Sequence, residues 1–251
     1  MENTQQKPQF PTEEVTLPSK GILYPEDSPL KSGKITMKYM TAKEEDILTN
    51  PNYIEDGSVI DKLLQSLIVT PIDYSSLLVG DKNAILVAAR ILGYGSDYEF
   101  SYGDKEVKID LTELEDKHLD ESLVNGNINE FEYTLPASKT NVTFRFLTHG
   151  DERKIDQELK GLKKINKKGS FDISTRMKHL ITSVNGDREN KSIRNFVDEQ
   201  LLARDARDLR NYIKNIQPDI DLSFQFEEKN GDFKNIKIPI GINFFWPEVE
   251  L

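Results

Sequence analysis

The phrase VTLPSK at residues 15–20 returns, with one inserted residue, as YTLPASK at residues 133–139. The two phrases are followed by KITMKYMTAKEEDIL at residues 34–48 and by NVTFRFLTHGDERKI at residues 141–155. Each of these stretches alternates apolar and polar residues, reaches a threonine and continues into an acidic turn. The shared order predicts that the second phrase begins a second copy of the first part of the chain.

A strand and the start of a helix are predicted in each copy. Thr41 and Thr148 stand at the predicted helix N-caps, and Glu44 and Asp151, three residues later, can complete a capping box. Because side chains alternate between the two faces of a strand, every second apolar residue shares one face. These residues are Ile35, Met37 and Tyr39 in the first copy and Val142, Phe144 and Phe146 in the second.

Further helices and a hairpin follow in the same order. A further helix starts near Asp81 in one copy and near Asp205 in the other, and both aspartates are predicted as N-caps. Alternating strands around Gly103 and Gly231 predict a β-hairpin in each copy. Before these elements each copy has one amphipathic stripe, formed by Val59, Ile60, Leu63, Leu64, Leu67 and Ile68 or by Ile173, Met177, Leu180 and Ile181.

The sequence therefore predicts an α+β protein of two tandem homologous domains, each an antiparallel strand and hairpin set packed with about three helices. Each copy is about 110 residues long, an ordinary domain size. The predicted boundaries are a flexible N-terminal arm at residues 1–12, a first repeat at 13–115, a connector at 116–130 and a second repeat at 131–251. The connector is polar and carries the turn signal Asn125-Gly126.

Composition narrows the function classes. Hydrophobic residues are 37% and charged residues 30% of the 251-residue chain, and no apolar run approaches the roughly 20 residues that a membrane span needs. The polar N-terminus has no signal-peptide pattern and the chain has no cysteine, so we expect a cytoplasmic protein with no membrane partner. A net charge of −10 has the wrong sign for broad nucleic-acid binding.

The usual enzymatic motifs are absent from the sequence. It contains no phosphate-binding loop, no nucleophile elbow and no zinc-protease helix. The three histidines, His118, His149 and His179, stand apart, and neighbouring acids such as Glu44 and Glu45 diverge on a helix. We therefore predict no catalytic residue, no metal site and no cofactor.

One dense basic run, KKINKKG at residues 163–169, is a candidate binding site. Its lysines, Lys163, Lys164, Lys167 and Lys168, could bind nucleic acid or an acidic partner. The alternative is a solvated helix end, since lysine is favoured near the negative pole of the helix dipole.

The C-terminal segment PIGINFFWPEVEL is the second candidate. Phe244, Phe245 and Trp246 put a large apolar area near a chain end. The segment either packs back on the second copy as a final strand, or anchors a partner, because aromatic residues are enriched in interface cores.

Five stretches resemble one protein family. They are VTLPSKGILYP, ITMKYMTAKEEDIL, IDKLLQSLI, LLVGDKNAILVAARILGYGSDY and IPIGINFFWP. Together they resemble the T4-type baseplate hub protein family of contractile-tailed bacteriophages over nearly the whole chain. Some members have cysteine pairs in hairpins that match SYGDKE and FEEKNGD, which this chain lacks.

The resemblance implies a non-enzymatic tail baseplate hub protein, either a hub subunit or an assembly chaperone, that acts by protein–protein binding. Its partners would be other phage baseplate hub and tail proteins, and a homo-oligomer is compatible with that role. It would act in the host-cell cytoplasm or in the virion tail baseplate. The alternative is a phage protein that associates with nucleic acid through the basic loop at residues 163–168.

Overall fold

The computed structural model describes residues 11–103, 105–126, 128–167, 169–227, 231 and 233–245. The predicted N-terminal arm lies outside the described residues except for Pro11 and Thr12, and Thr12 already belongs to the first strand.

The N-terminal half begins with a β-hairpin and continues through four helices to a second hairpin. Its strands pair antiparallel, β1 with β2 and β3 with β4. The elements are β1 (Thr12–Thr16), β2 (Lys34–Lys38), α1 (Ala42–Leu48), α2 (Pro51–Asp56), α3 (Val59–Leu67), α4 (Val79–Tyr94), β3 (Asp97–Tyr102), β4 (Lys105–Asp110) and the two-residue strand β5 (Asp116–Lys117).

The C-terminal half also begins with paired strands and continues through four helices to a hairpin, which a short helix follows. β6, β7 and β8 form a three-stranded antiparallel sheet, and β10 pairs with β11. The elements are β6 (Phe131–Thr134), β7 (Asn141–Phe144), α5 (His149–Ile165), α6 (Asp172–Leu180), β8 (Ile181–Val184), α7 (Asn190–Glu199), α8 (Ala203–Ile216), β9 (Asp219–Ile220), β10 (Ser223–Glu227), β11 (Phe233–Lys237) and α9 (Ile242–Phe245).

The α+β class predicted from the sequence is confirmed. The number of helices is larger than predicted, because the described residues form four helices in each half and the short α9. One cause is local: Asn50 accepts hydrogen bonds from the amides of Asn52 and Tyr53, and Pro51 occupies the first helical position, so a new helix begins there. The other addition is α7, whose stripe of Ile193, Phe196 and Val197 is buried.

The core is continuous across the two halves. One hydrophobic cluster includes Leu17 and Leu63 from the first half and Phe144 and Leu209 from the second. The predicted connector also contacts the C-terminal half, because β5, which lies in the connector, pairs antiparallel with β9.

Helix α4, whose sequence is continuously apolar from Ala84 to Ala89, lies at the centre of this junction. A Cβ atom added at Gly80 would come within 1.9 Å of the Pro218 carbonyl oxygen, so only glycine allows the chain before β9 to lie against α4. Asn83 then donates a hydrogen bond of 2.9 Å to Asp219.

Candidate functional site

Two turns that follow a Leu-Pro pair, Leu17-Pro18 and Leu135-Pro136, are each tied to a helix far along the chain; we call them the LP turns. In the first, the carboxylate of Asp81 accepts hydrogen bonds from the Ser19 amide (2.9 Å), the Ser19 hydroxyl (2.7 Å) and the Tyr24 hydroxyl (2.7 Å). Burial raises the pKa of Asp81, and the hydroxyl donors lower it only in part.

The second LP turn is held in the same way. Asp205 accepts hydrogen bonds from the amides of Ala137 (2.7 Å) and Ser138 (3.0 Å). Burial raises the pKa of Asp205, but the two backbone amides and the Ser138 contact outweigh it, so the pKa is lowered.

The sequence prediction that Asp81 and Asp205 are N-caps is wrong. Each is the third residue of its helix, and the N-caps are Leu78 and Leu202. Their carboxylates accept hydrogen bonds from the LP turns instead. The sequence did not identify Ser19, Tyr24, Ala137 and Ser138 as hydrogen-bond donors to these carboxylates. The only sequence signal for these contacts was an acidic residue near the start of a core helix.

A second pair of matched contacts lies where each strand passes into a helix. Lys38 donates to Glu44 at 2.8 Å, and Arg145 donates to Asp151 at 2.7 Å. Thr41 and Thr148 are confirmed as N-caps with capping boxes.

Glu44 is completely buried. Burial alone raises its pKa, but hydrogen bonds from Lys38, from Thr41 and from Ser66 (2.8 Å) bring it down to about 2. The pKa of Asp151 is lowered too, because the Arg145 contact and the Thr148 capping bonds outweigh its burial.

The two halves meet in a short antiparallel bridge between Leu78 and Thr148. The Val79 amide donates to the Leu147 carbonyl at 3.1 Å, and the His149 amide donates to the Leu77 carbonyl at 2.7 Å. This bridge joins the start of α4 to the start of α5.

A cluster of ionisable side chains covers the bridge. His149 lies 3.3 Å from Asp61 through Nε2 and 3.1 Å from the Lys82 ammonium through Nδ1, and Tyr74 donates to Asp61 at 3.1 Å. Burial and the Lys82 cation lower the pKa of His149. A neutral ring that accepts at Nδ1 and donates at Nε2 satisfies both neighbours, so the cluster links α3, α4 and α5.

The basic run lies at the end of α5. Lys163 and Lys164 are exposed in its last turn, and Lys167 is exposed just after it. Lys168 lies outside the described residues. Ile165, between them, is 86% exposed, so this helix end stands in solvent. Both interpretations of the run, a binding surface and a solvated helix end, fit this placement.

Phe244 and Phe245 do not form an exposed anchor. Phe244 and Phe245 are fully buried, and the Phe244 ring lies 4.9 Å from that of Tyr98. The Arg90 guanidinium donates to the Phe244 carbonyl at 2.9 Å. Of the two interpretations of the segment, packing within the chain fits both phenylalanines, and a partner surface does not.

The segment also differs from the strand predicted for it. It forms α9 and packs on α4 of the N-terminal half, because the buried Arg90 offers its backbone a hydrogen-bond donor there. Trp246 lies outside the described residues.

The two C-terminal hairpins of the halves pack on each other through aromatic pairs. Phe100 contacts Phe224 with ring centroids 5.5 Å apart, and Tyr102 contacts Phe226 at 5.1 Å. The hairpins have no cysteines that could bind a metal ion, and these aromatic pairs provide packing between them.

In the part of the chain that the structure describes, no group of three His, Asp or Glu side chains could hold a metal ion. No described helix is long and apolar enough to cross a membrane. No family model matches the chain, and no curated protein or solved structure matches it.

Proposed function

We propose that this chain is a non-enzymatic protein of the bacteriophage tail baseplate hub, acting by protein–protein binding as a hub subunit or as an assembly chaperone. The observation that carries the proposal is the sequence resemblance over the five quoted stretches, above all the LP-turn phrase and the strand and helix start after it. The host-cell cytoplasm and the virion baseplate are the two proposed locations.

The use of the ionisable groups supports a binding role. The buried carboxylates of Asp81 and Asp205 hold turns, and that of Glu44 holds a helix start. His149 is a neutral link between helices. Because each group already has its hydrogen-bonding partners, it stabilises the fold in its observed position.

We further propose that the chain is a tandem duplication. The matched contacts support this, because residues at equivalent positions pair in the same way in both halves: Lys38 with Glu44 as Arg145 with Asp151, and Asp81 with its LP turn as Asp205 with the other. Two diverged copies give one chain two related surfaces, which suits a protein that holds different neighbours.

The proposed function is tested by purifying the tagged chain from phage-infected cells after nuclease treatment, and by identifying the co-purifying proteins by mass spectrometry. We expect tail hub or baseplate proteins. The chain is then sought in finished virions: presence identifies a subunit and absence identifies an assembly chaperone. Recovery of no tail protein contradicts the proposal.

The exposed lysines at the end of α5 favour one second candidate, a nucleic-acid-associated phage protein. If it is correct, the triple change of Lys163, Lys164 and Lys167 to Glu weakens DNA retention and reduces the slope of log K against log salt by about 3. The control is the same triple change at the exposed Lys43, Lys191 and Lys237. Equal DNA binding by the two variants excludes this role for the basic run.

A further inference from the structure

The bridge that joins the two halves uses one face of the N-terminal half and one edge of the C-terminal half. The face is the stretch Leu77 to Val79 before α4, and the edge is the stretch Leu147 to His149 before α5. If the two halves are copies, the C-terminal half also has such a face and the N-terminal half also has such an edge. The bridge uses neither of them. The unused face is Leu201 to Ala203 before α8, and the unused edge is Met40 to Ala42 before α1.

At the unused face an apolar side chain is exposed where its equivalent at the bridge is buried. Leu78 is 3% exposed, whereas its equivalent Leu202 is 50% exposed. Tyr39, next to the unused edge, is 38% exposed. A second bridge would cover the side chains that are exposed at the unused positions.

The backbone groups at the unused positions are also available. Among the described residues, neither the Leu201 carbonyl nor the Ala42 amide makes a hydrogen bond. Their equivalents, the Leu77 carbonyl and the His149 amide, bond to each other at 2.7 Å. A strand-like contact between Leu201 and Ala42 of two molecules would pair them.

Charges at the two unused surfaces differ from those at the used ones in a complementary way. On the face, Gly80 and Asn83 of α4 are replaced by the exposed Arg204 and Arg207 of α8. Lys82 is replaced by Ala206, so this half of the contact gains one positive charge over residues 204–207. Asp208, 3.9 Å from Arg207, stands in the place of Ala84.

On the edge, the exposed Arg153 and Lys154 of α5 are replaced by Asp46, which is exposed, and Ile47 of α1. The exposed Lys43 stands in the place of Gly150, so residues 43–47 have one positive charge fewer and one negative charge more than residues 150–154. Opposite charges across an interface steer association and fix its register.

We propose that a second copy of this chain binds head to tail, with the Leu201–Ala203 face of one copy on the Met40–Ala42 edge of the next. The contact repeats the bridge between Leu78 and Thr148, now between molecules. Such a heterologous contact closes into a ring or continues as a filament, according to the rotation per copy. The inference rests on the tandem duplication and is independent of the phage assignment.

The contact between molecules is expected to be looser than the one within the chain. Gly80 allows Pro218 to approach α4 closely, and Arg204 stands in the place of Gly80. We therefore expect an association that depends on protein concentration and weakens as salt screens the charges.

Two single changes each remove one side of the contact. Leu202→Glu places a carboxylate on the exposed face. Ala42→Pro removes the amide that would donate to Leu201, and proline is tolerated there because Ala42 is the first residue of α1 and Thr41 has extended backbone angles of −124° and 173°. The matched control is Ile165→Glu, which changes an 86% exposed residue at the end of α5.

The test is the molar mass of the full chain, measured by light scattering and sedimentation over a range of concentrations. The wild type and Ile165→Glu are expected to exceed the 28.8 kDa monomer mass as concentration rises, and each of the two variants alone is expected to stay monomeric. An equimolar mixture of Leu202→Glu and Ala42→Pro should form a dimer, since each contributes its intact side. A wild type that remains monomeric, or variants that associate like it, overturns the proposal.

Disulfide trapping gives a second readout, because the natural chain has no cysteine. A directly opposed strand pair of this type has Cα atoms about 4.5 Å apart, within disulfide reach. Mixed Thr41→Cys and Leu202→Cys proteins should form a linked dimer on oxidation, and the Leu78→Cys, Thr148→Cys double variant, as positive control, should close a bond within one chain. A dimer formed as readily by Leu202→Cys alone contradicts the head-to-tail arrangement.

Discussion

Asp81 and Asp205 are each the third residue of a helix, and each accepts hydrogen bonds from an LP turn that is distant in sequence. Ser19 lies 62 residues before Asp81, and Ala137 lies 68 residues before Asp205. Their donors differ in kind. Asp81 faces two hydroxyls and one amide in the core, whereas Asp205 faces two backbone amides. The same position therefore supports a carboxyl of raised pKa in one half and of lowered pKa in the other.

The two aspartates are expected to affect stability with opposite pH dependence. The raised pKa of Asp81 means that its contribution is complete below its unfolded value, near 3.8, and declines as pH rises through the folded pKa. The lowered pKa of Asp205 means that its contribution is complete above 3.8 and is lost as pH falls through the folded pKa.

Urea unfolding as a function of pH checks this difference. The loss of unfolding free energy caused by Asp81→Asn should shrink as pH rises, and the loss caused by Asp205→Asn should grow. Parallel profiles would show that the two carboxyls have equivalent surroundings.

Glu44 makes acid stability depend on one buried carboxylate. Its pKa falls from 4.5 to about 2 on folding, so it contributes about 3 kcal/mol above pH 4.5, and this is lost as pH falls towards 2. Glu44→Gln should remove that part of the pH dependence and lower the stability at pH 7. The control is Glu45→Gln on the exposed side of α1, which should leave the profile unchanged.

His149 should give a separate transition nearer neutrality. Its lowered pKa means that protonation opposes folding: stability is complete above the unfolded value of 6.5 and declines as pH falls through the folded pKa. His149→Gln should flatten the profile of unfolding free energy between pH 7 and lower pH. His118→Gln, at an exposed histidine, is the control, and an unchanged slope in His149→Gln contradicts the assignment.

Lys20 and Lys139, at the ends of the LP turns, have left-handed backbone angles, with φ of 51° and 60°. A β-branched residue is strained there, at a cost on the order of 1–3 kcal/mol. We expect Lys139→Val to lower the melting temperature and Lys139→Gly to keep or raise it. Equal melting temperatures for the two variants would show that the turn relaxes.

Phe244 should be important for stability in spite of its place near the end of the chain. Phe244→Ala removes a fully buried ring and should lower the free energy of unfolding by about 3–5 kcal/mol. Phe233→Ala, at a residue that is 67% exposed, is the control and should have little effect. A small loss for Phe244→Ala in urea unfolding would mean that α9 leaves α4 at little cost.

The sequence by itself determined the local features of this protein. Alternation predicted the strands, and a threonine followed three residues later by an acid predicted the helix starts at Thr41 and Thr148. Each of these features depends on residues within one turn or one strand, so neighbouring residues were enough to predict it.

Only the tertiary structure decided how distant parts of the chain meet. The partners of Asp81 and Asp205, the burial of Phe244 against α4, and the bridge from Leu78 to Thr148 all join residues far apart in sequence. Whether an aromatic residue lies in the core or at an interface depends on which surface packs on it, and the periodicity of the sequence does not indicate that surface. The same holds for Leu202, which has the sequence pattern of Leu78 but lies 50% exposed because no described residue of its own chain covers it.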